Sequence, residues 1–292
     1  MGDSRMKLPR PIRGALAVAL MLLVAATGAC RHSVKAPPRP KPPYVPFNFQ
    51  IAVGANQYNI EGFIAHADDP GRLPALLVLT AGEGNARRCI EQSAGLVALG
   101  MVEACVSIPG YGKSSGPSRF VGPQAVEAAH RAVDLMAARP DVDPERIAVW
   151  GLSDGAVAAG LLMDSDPRLR AVILQSGFYD TLKMWPEAPL REKVAILRQV
   201  WPSRRVLAER SVIAHLPPRL DCSVLILHGE HDKKMPVQQA KRLAQALQTR
   251  GAKVETRFFD DGHDLGGKID APLKEFLRQN LIAAEPRAHT PS

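Results

Sequence analysis

The chain has 292 residues, 46% of them hydrophobic, and a formal net charge of +8. That length holds one large α/β domain or two small ones with a substantial core. The charge is concentrated in residues 1–46, which hold eight Lys/Arg against Asp3. About +1 remains for everything after, so the folded part carries no basic face and nucleic-acid binding is excluded.

Residues 1–29 read as an export signal. Arg5, Lys7, Arg10 and Arg13 precede an apolar stretch at 15–26, and Thr27, Gly28 and Ala29 stand before Cys30. The apolar run is shorter than the ~20 residues of a membrane-spanning helix. Small residues followed by Cys resemble the lipobox of bacterial lipoproteins, although Thr27 stands where those proteins usually have Leu. The resemblance implies that Cys30 is lipidated and that the protein faces the periplasm from a membrane. Simple cleavage after Ala29, releasing a soluble periplasmic protein, is the other reading. Residues 36–46, APPRPKPPYVP, contain six prolines. Such a segment stays extended and cannot pack a core, so 30–46 is expected to be a tether. A folded domain at 47–285 and a short tail at 286–292 follow.

From Phe47 the elements alternate. FNFQIAV and YNIEGFIAHA suggest an N-terminal antiparallel hairpin. Continuous apolar runs at 74–81, 101–108, 146–151 and 171–177 suit strands buried on both faces of a parallel sheet. Two more strands are expected at 223–229 and 253–259. Helices are expected at 87–99, 123–138, 155–164, 236–250 and 271–284, with Pro123 near a helix start, where its missing N–H costs nothing. The whole predicts a doubly wound, mostly parallel eight-stranded α/β sheet. Residues 178–221 break the rhythm and are expected to form a small lid or a packed helical excursion. Cys89, Cys105 and Cys222 have no metal-like spacing and read as buried thiols, with one disulfide possible in an oxidising compartment.

The chemistry centres on RIAVWGLSDGAVAAG at 146–160. Ser153 ends a strand and opens a helix of small residues, the setting of a nucleophile elbow. A serine needs a base, and the base an acid to orient it. Both follow at strand ends: Asp232 after SVLILHG, and His263 after KVETRFF. Asp180, at the end of the preceding strand, is a rival acid. His228 reads as a structural residue and His231 as an exposed neighbour of the acid.

These motifs resemble those of the α/β-hydrolase superfamily, near its esterase, dienelactone-hydrolase-like and prolyl-oligopeptidase-like members. The likeness covers about 60–281 and rests on IPGYGKSSGP, VDPERIAVWGLSDG, VLILHGEHDKKMP and DGH. It implies Ser153 as nucleophile, His263 as base and then acid, and Asp232 as its orienter. It also implies an oxyanion hole from the backbone N–H of Asp154 plus one from the loop at 80–84, with Ala81, Gly82 and Glu83 as candidates and Gly82 preferred. Asp154 either interacts with the positive end of its helix or joins Glu83 in an acidic wall favouring a cationic or hydroxyl-rich substrate. No metal or organic cofactor is implied. The expected activity is hydrolysis of a small carboxylic ester through an acyl-enzyme, the alternatives being a peptidase acting on short peptides, an acyltransferase, or a non-catalytic binding module. The esterase is preferred because a Pro-rich tether stands where such peptidases carry a gating domain.

Overall fold

The computed structural model describes residues 44–80, 86–93 and 95–283. The expected export signal, Cys30, most of the tether, Gly82 and Glu83, and the tail lie outside the described residues.

Eight strands form one sheet: β1 (Val45–Val53), β2 (Asn56–His66), β3 (Leu73–Thr80), β4 (Val102–Ser107), β5 (Val142–Leu152), β6 (Leu169–Gln175), β7 (Ser223–Gly229) and β8 (Val254–Phe259). Their spatial order is β1-β2-β4-β3-β5-β6-β7-β8. β1–β2 and β2–β4 pair antiparallel and all other neighbours parallel. The doubly wound sheet with an N-terminal hairpin is therefore as the sequence predicts. β1 begins two residues inside the expected tether, and Pro46 is accommodated because β1 is an edge strand.

β3 and β4 are buried at every position, as their unbroken apolar runs require. Side chains alternate between the faces, with Leu77, Leu79 and Val149 packing into one core and Leu76, Val78 and Trp150 into the other. On the first face lie α2 (Pro123–Ala137), whose Pro occupies its first turn, and α3 (Asp154–Ser165). The helix expected at 87–99 is instead α1 (Ala86–Ser93) and a separate 3₁₀ turn at Val97–Leu99. Gly95 lies between them, and Leu96 N–H already closes a turn onto the Ser93 carbonyl.

Proximity of α1 to β4 corrects one expectation. Cys89 and Cys105 are not separate thiols; their Cα atoms lie 6.0 Å apart and their sulfurs form a disulfide. Spacing along the chain does not reveal this pair, because a helix and the following strand bring it together. Cys222 is a buried thiol outside that bond.

Residues 178–221 form three short helices, α4 (Thr181–Glu187), α5 (Leu190–Leu197) and α6 (Arg204–Ala208), and a 3₁₀ turn at Val212–His215. Two further helices close the chain's α/β pattern: α7 (Gln238–Thr249) and α8 (Asp270–Leu277), the latter continued by a π-helical turn at Arg278–Ile282.

Candidate active site

β5 delivers its last residue, Leu152, to the carboxyl edge of the sheet, beside β3, where the winding changes direction. Open α/β sheets bind ligands at such an edge. Ser153 turns the chain there with φ 55°, ψ −118°, a conformation that costs a non-glycine residue free energy. The turn has little room. A Cβ on Gly151 would strike the backbone of Gly155 and Ala156, and one on Gly155 the carbonyl of Leu79. The two glycines flanking the serine are thus required by close packing of strand, turn and helix. Ser153 N–H donates to the Gln175 carbonyl at 2.9 Å, tying the turn to β6.

The two other strand ends converge on this serine. Nε2 of His263 lies 3.1 Å from Ser153 Oγ, and its Nδ1 lies 2.7 Å from Asp232 Oδ2. A carboxylate only accepts, so Nδ1 carries the proton and Nε2 is left to accept from the hydroxyl. Asp232 is fully engaged. Its Oδ1 accepts the N–H groups of Lys234 (2.9 Å) and Met235 (2.8 Å), and its side chain has no exposed surface. Burial raises its pKa, but hydrogen bonds from His228 and His263 and from the Met235 N–H outweigh that and hold it well below the ordinary carboxylate range. Asp232 therefore stays ionised beside His263.

His228 is structural, as expected, and its partners can be named. Completely buried, its Nε2 donates to the Met235 carbonyl at 2.7 Å and lies 3.4 Å from Asp232 Oδ2. Its Nδ1 has no partner, which fits a neutral ring with a bare acceptor. His231 is exposed and lies 2.8 Å from Asp260. Asp180, the rival acid, instead caps α4 by accepting the Lys183 N–H.

Several supports escaped sequence reasoning. Ser176, itself at φ 52°, donates its hydroxyl to the His263 carbonyl at 3.0 Å and so anchors the histidine loop. Tyr111, inside the motif IPGYGKSSGP, donates its hydroxyl to Asp154 Oδ2 at 2.6 Å. Asp154 therefore does not simply turn outward to its helix end. Of the expected oxyanion donors, Asp154 follows the serine at the start of α3, while Gly82 lies outside the described residues.

Beside Ser153 is a cavity of about 270 Å³, lined by Asp154, Phe120, Phe178 and Met235 together with Met184 of α4 and Ile196 of α5. Phe120 and Phe178 stack with ring centroids 4.9 Å apart. The 178–221 segment is thus a wall of this cavity. Arg119, Phe120 and Val121 all have positive φ, a costly run for side-chain-bearing residues. It is held by Gln199, which accepts the Phe120 N–H at 2.9 Å, and by buried Arg210, which donates to the Phe120 carbonyl at 3.0 Å. Such long-range restraints carry no local sequence signal.

Among the described residues, Cys89, Glu103 and Cys105 are a group with the atoms to hold a metal ion, but its two sulfurs are joined to each other.

The description "Prolyl oligopeptidase family" belongs to the family model that matches residues 119–280. An uncharacterized protein of Mycobacterium tuberculosis is 32% identical over 224 residues, covering 74% of this chain and 73% of that protein. The uncharacterized peptidase YuxL of Bacillus subtilis is 25% identical over 182 residues, 53% of this chain and 24% of its own. Among solved structures, the acylaminoacyl peptidase of Pyrococcus horikoshii superposes with a TM-score of 0.66 at 14% identity, covering 84% of this chain. This chain spans only 43% of that peptidase. Acetyl xylan esterase 1 of Thermoanaerobacterium sp. superposes with a TM-score of 0.63 at 15% identity, over 82% of this chain and 88% of that one. At such identities the structural likenesses establish a shared fold.

Proposed function

We propose, for a chain that belongs to the prolyl oligopeptidase family of α/β-hydrolase-fold serine hydrolases, that it cleaves carboxylic esters through an acyl-enzyme. The observation that carries this reading is the continuous hydrogen-bond line from Asp232 through His263 to a strained Ser153. In the reaction, Ser153 Oγ attacks the ester carbonyl while His263 Nε2 takes its proton. The resulting imidazolium is stabilised by ionised Asp232, and the oxyanion is received by the Asp154 N–H, the family resemblance implying Gly82 as the second backbone donor. Collapse breaks the bond to the alcohol, which leaves with the proton from Nε2. Water, deprotonated by His263, then attacks the acyl-enzyme, and collapse returns the proton to Ser153 and releases the acid.

An ester asks less of this machinery than an amide, because an alkoxide departs more readily than an amine and depends less on prior protonation. The family match favours a second reading, a peptidase acting on short peptides. A panel of p-nitrophenyl esters and aminoacyl p-nitroanilides, with the full chain and its Ser153→Ala variant, separates the two. Ester turnover that exceeds anilide turnover and vanishes with Ser153 supports the esterase. Anilide turnover of comparable kcat/KM favours the peptidase. A fluorophosphonate probe that fails to label wild-type Ser153 would overturn both.

The reading extends to location. The signal-like segment and Cys30 support a protein exported to the bacterial cell envelope and tethered there by lipid on Cys30. Palmitate labelling in cells should disappear on Cys30→Ala; labelling that persists defeats the tether.

A further inference from the structure

The cavity beside the nucleophile contains a charge that ester hydrolysis does not use. Asp154 follows Ser153 and belongs to the cavity lining. Among the described residues its carboxylate accepts one hydrogen bond, from Tyr111, and forms no salt bridge. An ionised carboxylate has acceptor sites for about four bonds. The walls it faces are largely apolar: Phe120, Phe178, Met184, Ile196 and Met235. Burial pushes its pKa upward, opposed by the Tyr111 hydroxyl and by the field of His263. A partly buried carboxylate gains from a paired cation, and among the described residues Asp154, itself half-buried, has none.

The other charged residues of the lining are differently placed. Glu187 is exposed and engages Arg242 at 3.2 Å, and Lys233 and Lys234 are exposed. Glu192 lies 3.4 Å from Arg191. Asp154 alone among these acids adjoins Ser153, and among the described residues its partner is a phenol.

Resting on the serine-hydrolase reading, we propose that Asp154 is a specificity-determining residue that selects substrates carrying an ammonium or guanidinium group on a short apolar stem. The stem packs among Phe120, Phe178 and Met235, and the cation supplies the partner that the carboxylate lacks. A neutral hydroxyl could donate one bond to Asp154 but would not neutralise it, so charge rather than hydrogen-bonding capacity is what the site reads.

The test uses the full chain and two matched substrate pairs: the p-nitrophenyl esters of Nα-acetyl-lysine and Nα-acetyl-norleucine, and acetylcholine with its neutral isostere 3,3-dimethylbutyl acetate. Their kcat/KM ratios report charge selectivity on the acyl side and on the leaving side, independent of any change in absolute rate. Wild type should prefer the cationic member of at least one pair, and Asp154→Asn, which keeps an acceptor for Tyr111, should lower that ratio by about 10- to 100-fold. In a measurement that needs no variant, n-butylguanidinium should slow fluorophosphonate labelling of wild-type Ser153, whereas n-pentanol at the same concentration should not. Labelled wild type without charge preference in either pair, equal protection by the alcohol, or a ratio unchanged in Asp154→Asn overturns the proposal and leaves the hydrolase reading standing. Absence of labelling in wild type overturns the hydrolase reading and this proposal with it.

Discussion

The two sides of Ser153 treat a carboxylate in opposite ways. On one side Asp232 has no exposed side-chain surface and its oxygens meet two histidines and two backbone N–H groups, which hold it ionised. On the other, Asp154 receives one phenol and is pushed toward its neutral form. Burial raises the pKa of both acids, so desolvation alone does not set their state; the number and kind of donors does. A carboxylate with every acceptor site engaged can orient a neighbour but can bind nothing new. One left short of donors is available to a ligand.

The largest expected effect breaks the engaged side. In Asp232→Asn, one amide oxygen can still accept from Lys234 and Met235, so the acid loop should keep its shape. The amide NH₂ then faces His263 Nδ1 and favours the proton on Nε2, the atom that must accept from Ser153. Ester kcat should fall by about 10⁴-fold while the midpoint of thermal unfolding moves little. A loss under tenfold would mean that Asp232 does not govern the histidine tautomer.

A smaller effect tests the cavity side. Arg210 is 4% exposed and donates to the carbonyls of Val206 and Phe120 at 2.9 and 3.0 Å. Removing it by Arg210→Ala leaves the buried Phe120 carbonyl in the strained run, and that of Val206, without this donor, at a cost of about 2–4 kcal/mol in urea unfolding. Because Phe120 lines the cavity and not the triad, KM should rise more than kcat falls. A proportionate loss of kcat alone would show that the 119–121 run supports the nucleophile rather than the substrate wall.

The same division explains what the sequence disclosed. Ser153, Asp232 and His263 each stand directly beyond a strand, so pattern and chain order locate them before any coordinates exist. The continuous apolar runs of β3 and β4 likewise announce a sheet buried on both faces. The cavity wall is assembled otherwise. Tyr111 meets Asp154 across 43 residues and Gln199 meets Phe120 across 79. The positive φ of Phe120 runs against its intrinsic preference, and its N–H and carbonyl are held by the distant Gln199 and Arg210. Spacing leaves Cys89 and Cys105 as buried thiols or a possible disulfide for the same reason, since the docking of α1 on β4 is what joins them. Residues at strand ends are local and readable; a cavity wall joined across the chain is not.

Glu103 supplies a third case, a fully buried phenol-bonded acid. It sits fully buried on β4, accepting from Tyr44 at 3.1 Å close to the Cys89–Cys105 disulfide. Burial pushes its pKa from 4.5 to about 8, only partly offset by hydrogen bonds from Ser93 and Tyr44. The native state therefore keeps its proton where the unfolded chain releases it. Below pH ~4.5 both states are protonated and the stabilising contribution is complete; it is lost as pH rises toward 8, because the unfolded state then binds fewer protons than the native one. Glu103→Gln preserves an acceptor for Tyr44 and abolishes the titration. Unfolding free energies measured by urea from pH 5 to 8 should show wild type losing stability relative to Glu103→Gln, with a slope approaching about 1.4 kcal/mol per pH unit. Parallel curves would mean that Glu103 is ionised in the native state. It would then be a paired acid like Asp232, and scarcity of donors would no longer explain why Asp154 is open to a ligand.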